Sequence, residues 1–299
     1  MWYLQGSNQG HMDFQSIALP SELRYRANAG ANIERFFGST KHFFKKIYSY
    51  LCKINFKQMI LTIDVGNTRI KSAVFKYNTI IETAFFSNKN FQSEIENILN
   101  LNNKIKVLVV ASVGKLEKEA FELFSNRVYV CFISRESTFP FQNNYATQST
   151  LGIDRMVLSA GAVFQFPKKN RLIIDAGTCL TYDFVDENDV YQGGAISPGI
   201  RLRYEVMHNY TAKLPLLTLQ EPQSLIGNTT NQSLHSGVVN GLTFEIEGYI
   251  EAVRGKNENF IIILTGGDAN FLAKRLKNTI FANSNFLLES LNNLYQYQK

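Results

Sequence analysis

Apolar residues follow two spacings along the chain from Met59 onwards. Short apolar runs alternate with longer segments in which apolar residues recur at helical spacing. The short runs predict strands at 59–65, 69–77, 79–86, 106–112, 128–133, 171–176, 179–185, 190–196 and 260–265. The longer segments predict helices at 91–102, 115–126, 153–166, 199–209, 233–254, 268–277 and 285–296. Because three neighbouring strands followed by alternating helices and strands occur twice, the chain is predicted to be an α/β protein.

The two halves of this pattern begin with the same local sequence. The first begins with LTIDVGNTRIKSAVF, and the second begins with LIIDAGTCLTYDF. Each contains an apolar run ending in aspartate, a glycine two residues later, a nearby threonine and a second apolar run. An internal repeat of this kind predicts two domains of similar topology, at 59–150 and 151–299.

Residues 1–58 differ in character from the rest of the chain. They hold 8 of the 31 Lys and Arg residues but 3 of the 25 Asp and Glu residues, and they contain the basic, aromatic segment IERFFGSTKHFFKKIYSYL. This segment fits a basic amphipathic helix on a membrane surface, or an extension upstream of the true translation start. We therefore place 1–58 outside the predicted domains.

Charge and composition exclude several classes of protein. After residue 58 the chain holds 23 Lys and Arg against 22 Asp and Glu, so it lacks the basic surface of a nucleic-acid-binding protein. No apolar run reaches the roughly 18 residues of a membrane-spanning helix, so no membrane segment is predicted for 59–299. Three widely spaced cysteines, Cys52, Cys131 and Cys179, favour reduced, buried thiols in a cytoplasmic protein over disulfides or a zinc site.

The two repeated turns contain residues suited to binding phosphate. Gly66 and Gly177 permit positive φ and close approach of the backbone to a ligand. Turn N–H groups can then surround an anion, and the hydroxyls of Thr68 and Thr178 add donors. Taken singly, each turn also fits a tight hairpin with local side-chain hydrogen bonds. The presence of both turns in one chain favours the interpretation that they hold nucleotide phosphates between two domains.

Carboxylates and glycines elsewhere extend this hypothesis. Asp64 and Asp175, at the ends of their strands, would face a cation or a metal-bound water. Asp154, in LGIDRM, fits a helix-capping carboxylate or a base that accepts the proton of an attacking hydroxyl. Gly266 and Gly267, in ILTGGDANFL, would let adenine or ribose lie against the backbone, or form an ordinary strand-to-helix loop. P-loop and Rossmann motifs do not occur in the sequence.

Six segments together resemble the type III pantothenate kinases in order and spacing. They are DVGNTRIK, GIDR, DAGTCLTYDF, GGAISPGI, TAKLP and TGGDA. These kinases belong to the superfamily of acetate and sugar kinases, Hsp70 and actin. The resemblance runs from Met59 nearly to the C terminus. It implies two duplicated ribonuclease-H-like (actin-type) domains with the nucleotide in the cleft between them.

The resemblance also implies a reaction and its requirements. The reaction is the ATP-dependent phosphorylation of the primary hydroxyl of pantothenate to 4′-phosphopantothenate, the first step of coenzyme A biosynthesis. Mg²⁺ would accompany ATP, and a monovalent cation, K⁺ or NH₄⁺, would be required. The enzyme would be a homodimer with the substrate pocket at the subunit interface.

Site residues are carried over from the same resemblance. Asp154 corresponds to the catalytic base, and Asp175 to the ligand of the monovalent cation. The ATP phosphates would be held by Asp64, Val65, Gly66, Asn67, Thr68, Arg69, Ile70, Lys71 and Thr178. The pantothenate pocket would be lined by Tyr145, Gly152, Ile153, Asp154, Arg155 and Thr211. Of these, Arg155 offers a charge opposite to that of the substrate carboxylate.

Two other functions stay open on the sequence. Another small-molecule kinase of the same superfamily would phosphorylate a different acceptor. A nucleotide-binding regulator without catalytic activity would change conformation without transferring phosphate, and it would have no need of a carboxylate base at Asp154.

Overall fold

The computed structural model describes residues 59–255, 257 and 260–299, so the predicted extension at 1–58 lies outside the described residues. The first sheet has the strand order β3-β2-β1-β4-β5. Its strands are β1 (Met59–Val65), β2 (Ile70–Lys76), β3 (Thr79–Phe86), β4 (Ile105–Ser112) and β5 (Tyr129–Phe132). β1 to β3 are antiparallel, whereas β4 and β5 run parallel to β1. Helices α1 (Phe91–Leu101) and α2 (Glu119–Glu122) supply the two parallel crossovers.

The second sheet repeats the strand order of the first. Its corresponding strands are β7 (Asn170–Ala176), β8 (Cys179–Val185), β9 (Val190–Pro198), β10 (Phe260–Thr265) and β11 (Phe281–Ala282). They lie in the order β11-β10-β7-β8-β9, and the short strand β6 (Gln142–Asn143) extends the sheet beside β9. The predicted α/β class and the duplicated arrangement are therefore confirmed.

Six helices complete the described part of the second half. They are α3 (Ile153–Gln165), α4 (Ile200–Asn209), α5 (Thr230–His235), α6 (Gly241–Arg254), α7 (Ala269–Ala273) and α8 (Phe286–Tyr297). Helices α3 and α8 pack against each other in a core that also contains Phe75 and Val109 of the first sheet and Ile173 and Ile263 of the second. This shared core fixes the two sheets relative to each other.

Separate apolar clusters cover the outer faces of the sheets. Helices α1 and α2 pack on the first sheet, and α4 to α7 pack on the second. β1 is buried at all seven positions because both faces of its sheet are covered, which explains why five of its residues are apolar and why Thr62 and Asp64 are buried with them. None of the described helices is long and apolar enough to cross a membrane.

Several predicted elements differ from those observed. The helix predicted at 115–126 is helical only at Glu119–Glu122, since its flanks form turns with i to i+3 hydrogen bonds. The helix predicted at 233–254 begins at Thr230 and contains a π-helical turn at Ser236–Asn240. The helix predicted at 268–277 ends at Ala273. The two-residue strands β6 and β11 were not predicted, because an element of that length has no periodicity.

Two described cysteines test the prediction of buried thiols. Cys131 is partly buried, which agrees with it, but Cys179 is exposed, so that the prediction is wrong there. Cys179 begins β8 directly after the second repeated turn, where the chain leaves the core. Cys52 lies among the residues that are not described.

Candidate active site

The two repeated turns meet. The Thr68 hydroxyl of the β1–β2 turn lies 3.0 Å from the Thr178 hydroxyl of the β7–β8 turn, within hydrogen-bonding distance. Both side chains are exposed. Two threonine hydroxyls from two turns are thus brought to one place, where both can donate to an anion.

Backbone hydrogen bonds, not unusual φ angles, close both turns. The Gly66 N–H donates to the Arg69 carbonyl at 3.2 Å, and the Gly177 N–H donates to the Cys179 carbonyl at 3.0 Å. Gly66 and Gly177 permit positive φ but do not adopt it, because the described glycines with positive φ are Gly193 and Gly266. A Cβ at Gly66 would lie 3.1 Å from the Arg69 carbonyl oxygen, which is tight, whereas a Cβ at Gly177 would make ordinary contacts.

Two aspartates and a lysine lie behind the turns. Asp64 pairs across β1 and β2 with Lys71, and Asp175 occupies the equivalent position in β7. Burial raises the pKa of Asp64 to about 7, with the nearby Asp175 and Asp154 adding to the effect and Lys71 opposing it. Burial likewise raises the pKa of Asp175 to about 6, and Lys71 again opposes the shift. The site concentrates negative charge that a cation would stabilise.

The loop after β10 closes one side of the site. Gly266 has φ of 96°, and a Cβ there would overlap the Ala176 carbonyl and an Asp175 carboxylate oxygen, so only glycine fits. The next residues, Gly267 and Asp268, approach Arg69 of the first turn. Burial raises the pKa of Asp268, and the charges of Arg69 and Lys71 partly oppose that shift. Asp268 was not predicted as a site residue. The paired glycines before it were the available signal.

Asp154 lies in the first turn of α3, at the point where that helix enters the shared core. Its Oδ1 accepts a hydrogen bond of 2.8 Å from the Arg155 backbone N–H. A Cβ at the preceding Gly152 would overlap this oxygen, so the small residue makes room for the carboxylate. Burial raises the pKa of Asp154, while the Arg155 backbone and charge oppose the shift. A raised pKa suits a carboxylate that accepts a proton near neutral pH.

Arg155 points away from solvent. It is 5 % exposed, and its Nε donates to the Asp183 carboxylate at 2.8 Å. Its guanidinium carbon lies 5.7 Å from the centre of the Tyr145 ring. Arg155 and Tyr145, both predicted to line the substrate pocket, are therefore neighbours, with the charge of Arg155 balanced inside the subunit.

A cavity of about 490 Å³ adjoins the start of α3. It lies at the carboxyl ends of β4 and β5, and its lining includes Gly114, Lys118, Arg135, Gly152 and Ile153. A Cβ at Gly114 would lie 2.9 Å from the Gly66 carbonyl, so the cavity borders the first turn. None of the lining residues from β4 and β5 was predicted, because their proximity to Gly152 depends on the fold.

Three predicted residues have surroundings that limit their roles. Val65 and Ile70 are fully buried in the outer core of the first sheet, so only their backbones can face a nucleotide. Asn67 and Arg69, by contrast, are exposed. Thr211 is exposed beyond the C-terminal end of α4, where its hydroxyl donates to the Met207 carbonyl at 2.6 Å.

Among the described residues, no three His, Cys, Asp or Glu side chains form a group that could hold a metal ion. The Asp175 Oδ1 and the Ala176 carbonyl oxygen would each lie 2.4 Å from a Cβ at Gly266, so both oxygens face the backbone of that glycine.

Known proteins of one family are similar in sequence to most of this chain. The profile of the type III pantothenate kinase family matches residues 60–252. A type III pantothenate kinase from Flavobacterium johnsoniae is 63% identical over 240 residues, which cover 80% of this chain and 98% of the relative. One from Christiangramia forsetii is 44% identical over 241 residues, covering 81% and 99%. One from Bacteroides fragilis is 37% identical over 239 residues, covering 80% and 98%.

The fold also has a counterpart among solved structures. A protein from Campylobacter jejuni, named as a conserved Baf family transcriptional activator, superposes with a TM-score of 0.54. It is 22% identical and covers 79% of this chain and 98% of its own length. That level of identity supports the shared fold alone. From the family profile and from relatives of up to 63% identity, the chain belongs to the type III pantothenate kinase family.

Proposed function

We propose that this protein transfers the γ-phosphoryl group of ATP to the primary hydroxyl of pantothenate, giving ADP and 4′-phosphopantothenate. Relatives that align over almost their whole length are named for this activity. The observation that carries the proposal is the contact between Thr68 and Thr178, which supports a two-sided phosphate site next to Asp64, a residue whose charge interacts with that of Asp154. The alternatives, another acceptor or a regulator without catalysis, are not favoured by the family to which the chain belongs.

The proposed step is a phosphoryl transfer. The pantothenate hydroxyl oxygen forms a bond to the γ-phosphorus, and the bond from that phosphorus to the β–γ bridging oxygen breaks, releasing ADP. The hydroxyl proton passes to Asp154. Because phosphoryl transfer depends mainly on positioning and charge stabilisation, Asp154 needs only to orient the alcohol and accept its proton. The two turns orient the phosphates, and Lys71 offers a positive charge beside them.

Metal ions complete the proposed charge balance. Mg²⁺ bound with ATP would neutralise phosphate charge, with Asp64 as the nearest buried carboxylate of the first turn. A monovalent cation, K⁺ or NH₄⁺, would be held by Asp175. The raised pKa of buried Asp64 and of partly buried Asp175 supports these roles.

We propose further that the protein is a homodimer whose partner completes the substrate pocket. Helix α4 starts beside the second turn, where the Gly199 N–H donates to the Thr178 carbonyl at 3.1 Å. Its 10 residues span about 15 Å, so Thr211 lies far from that turn within one subunit. The same outer layer exposes large apolar side chains, among them Tyr210, Ile226 and Phe244. Apolar surface of this kind favours a second copy of the chain as its cover.

We also propose the domain boundaries and the location of the protein in the cell. Division at 59–150 and 151–299 follows the duplicated sheets, with β6 and α8 each pairing or packing with the other half. A kinase that uses ATP for biosynthesis belongs in the cytoplasm.

A direct assay tests the proposed function. Purified full-length protein is incubated with ATP, MgCl₂, KCl and pantothenate, and the products are identified by mass spectrometry. Acetate, glucose and N-acetylmannosamine replace pantothenate in parallel reactions. We expect 4′-phosphopantothenate and ADP in equal amounts when pantothenate is the acceptor, and no phosphorylated product with the other three acceptors. Faster turnover of another acceptor, or no phosphopantothenate in any salt, would overturn the proposal.

A further inference from the structure

Asp183 is a fully buried carboxylate in β8 to which the proposed reaction assigns no role. It accepts hydrogen bonds from Arg155 Nε at 2.8 Å, from the Tyr191 hydroxyl at 2.6 Å and from the Thr181 hydroxyl at 3.3 Å. A carboxylate that has lost its water needs such donors to stay ionised. Asp183 is therefore held as one half of a buried ion pair with Arg155.

Arg155 connects this ion pair to Asp154. Its side chain binds Asp183, whereas its backbone N–H donates to Asp154 Oδ1 at 2.8 Å. We propose that Asp183 is a positioning residue for phosphoryl transfer, which anchors Arg155 and thereby holds the Asp154 carboxylate towards the repeated turns. This inference rests on the proposed function.

The surroundings leave Arg155 little freedom to move. The Tyr145 ring covers one side of the guanidinium, and a Cβ at Gly194 would lie 3.1 Å from Arg155 Nη2. Tyr191 closes the far side through its hydrogen bond to Asp183. Helix α3 is thus attached to β8 and β9 of the second sheet at the residue that follows the proposed base. The attachment transmits the geometry of the second sheet, with its repeated turn, to Asp154.

Charge supports the same role. Asp154 is coupled to Asp64 from β1, Asp175 from β7, Asp183 from β8 and Arg155 from its own helix. Arg155 lowers the pKa of Asp154, and the negative charge of Asp183 offsets that influence. Removing the Asp183 charge leaves Arg155 unbalanced, so the pKa of Asp154 falls and the carboxylate becomes a weaker base.

The test compares Asp183→Asn with the wild-type protein. We expect kcat for pantothenate to fall about tenfold or more, with little change in KM for ATP. The acid limb of the kcat–pH profile moves to lower pH. A ¹³C NMR titration of the Asp154 carboxyl, assigned by its loss in Asp154→Asn, gives a readout that does not need activity. It should show the pKa of Asp154 lowered by about one unit.

Asp189→Asn is the matched control. Asp189 forms a second Arg–Asp pair with Arg171, 2.7 Å from Nη2, at the opposite end of β7 from the site. Its loss should cost stability and leave both the Asp154 titration and the pH profile unchanged. Tyr191→Phe, which removes one hydrogen bond but keeps the ring, should change kcat in the same direction and less, and replaces Asp183→Asn if that variant does not fold.

The outcomes separate the two proposals. An unchanged Asp154 titration in Asp183→Asn, or a change matched by Asp189→Asn, overturns the positioning role whether or not the wild type is active. If Tyr191→Phe stands in, an unchanged Asp154 titration overturns it likewise. A wild-type protein that makes no phosphopantothenate overturns the proposed function instead, and the titration still decides whether Asp183 controls Asp154.

Discussion

The hydroxyls of Thr68 and Thr178 lie 3.0 Å apart although 110 positions separate them in the chain. Each belongs to the turn between the first two strands of its repeat, β1 and β2 or β7 and β8. A nucleotide phosphate bound there would exchange the threonine–threonine hydrogen bond for bonds to its own oxygens. The contact therefore marks where the two halves of the protein share a ligand.

Replacing these hydroxyls should weaken ATP binding. Thr68→Val and Thr178→Val keep the side-chain shape and remove one donor each, so each should raise the Kd for ATP about tenfold. Because the hydroxyls would bind one phosphate group, the double variant should be non-additive. Isothermal titration calorimetry with Mg²⁺-ATP measures both effects. Thr83→Val, at an exposed position of β3, is the control, and an equal loss there would contradict the assignment.

Asp154→Asn tests the proposed base. The amide keeps the hydrogen bond from the Arg155 N–H but cannot accept the substrate proton. We expect kcat to fall by about 100-fold or more, with affinity for ATP retained. ADP release coupled to phosphopantothenate formation measures the rate. Full activity in this variant would remove Asp154 from the mechanism.

Stability should fall as pH rises, because of Asp64. Its pKa is raised from 3.8 to about 7 in the folded protein, so ionisation costs more in the fold than in the unfolded chain. The cost is absent below pH 3.8 and complete above pH 7. Asp64→Asn should therefore increase the free energy of unfolding by about 1–3 kcal/mol at pH 8 and by less at pH 5.

Urea unfolding without nucleotide, at both pH values, measures this difference. Glu117→Gln, an exposed carboxylate near the site, serves as the control and should leave stability unchanged. An Asp64→Asn protein that is less stable at pH 8 would mean that the aspartate has a stabilising partner. The same variant should lose affinity for Mg²⁺-ATP.

Activity should depend on the monovalent cation through Asp175. We expect turnover in KCl or NH₄Cl, and at most a few per cent of it in NaCl or choline chloride. Asp175→Asn should have low activity in all four salts, because a neutral amide binds the cation weakly. Initial rates at constant ionic strength measure this. Equal rates in potassium and choline would contradict the proposed cation.

Mixed dimers test whether Thr211 reaches the partner subunit's site. Asp154→Asn and Thr211→Tyr should each be nearly inactive alone. If one site needs Asp154 from one subunit and Thr211 from its partner, coexpression regenerates one intact site in each mixed dimer. Random pairing then restores about a quarter of the wild-type activity. No recovery in dimers confirmed by native mass spectrometry would place both residues in one subunit's site.

Much of the protein was determined by the sequence itself. Short apolar runs located the long strands, and β1 and β7 show the reason, since they are buried at seven and at six of their seven positions. The repeated Asp-x-Gly turns predicted the duplication, and GIDR predicted a carboxylate at the start of α3. These features are local, so periodicity and turn chemistry reveal them without knowledge of the fold.

Tertiary structure decided the rest. Only the common core of α3 and α8 brings the turns together, and only the packing of α3 on β8 gives Arg155 a partner in Asp183. In the sequence, Asp183 is one charged residue in a predicted strand and Asp268 is part of a loop, and neither was predicted to belong to the site. Their surroundings come from residues distant in the chain, and desolvation and charge coupling depend on those surroundings. The sequence therefore determined which groups are present, and the packing of the two sheets determined which of them act together.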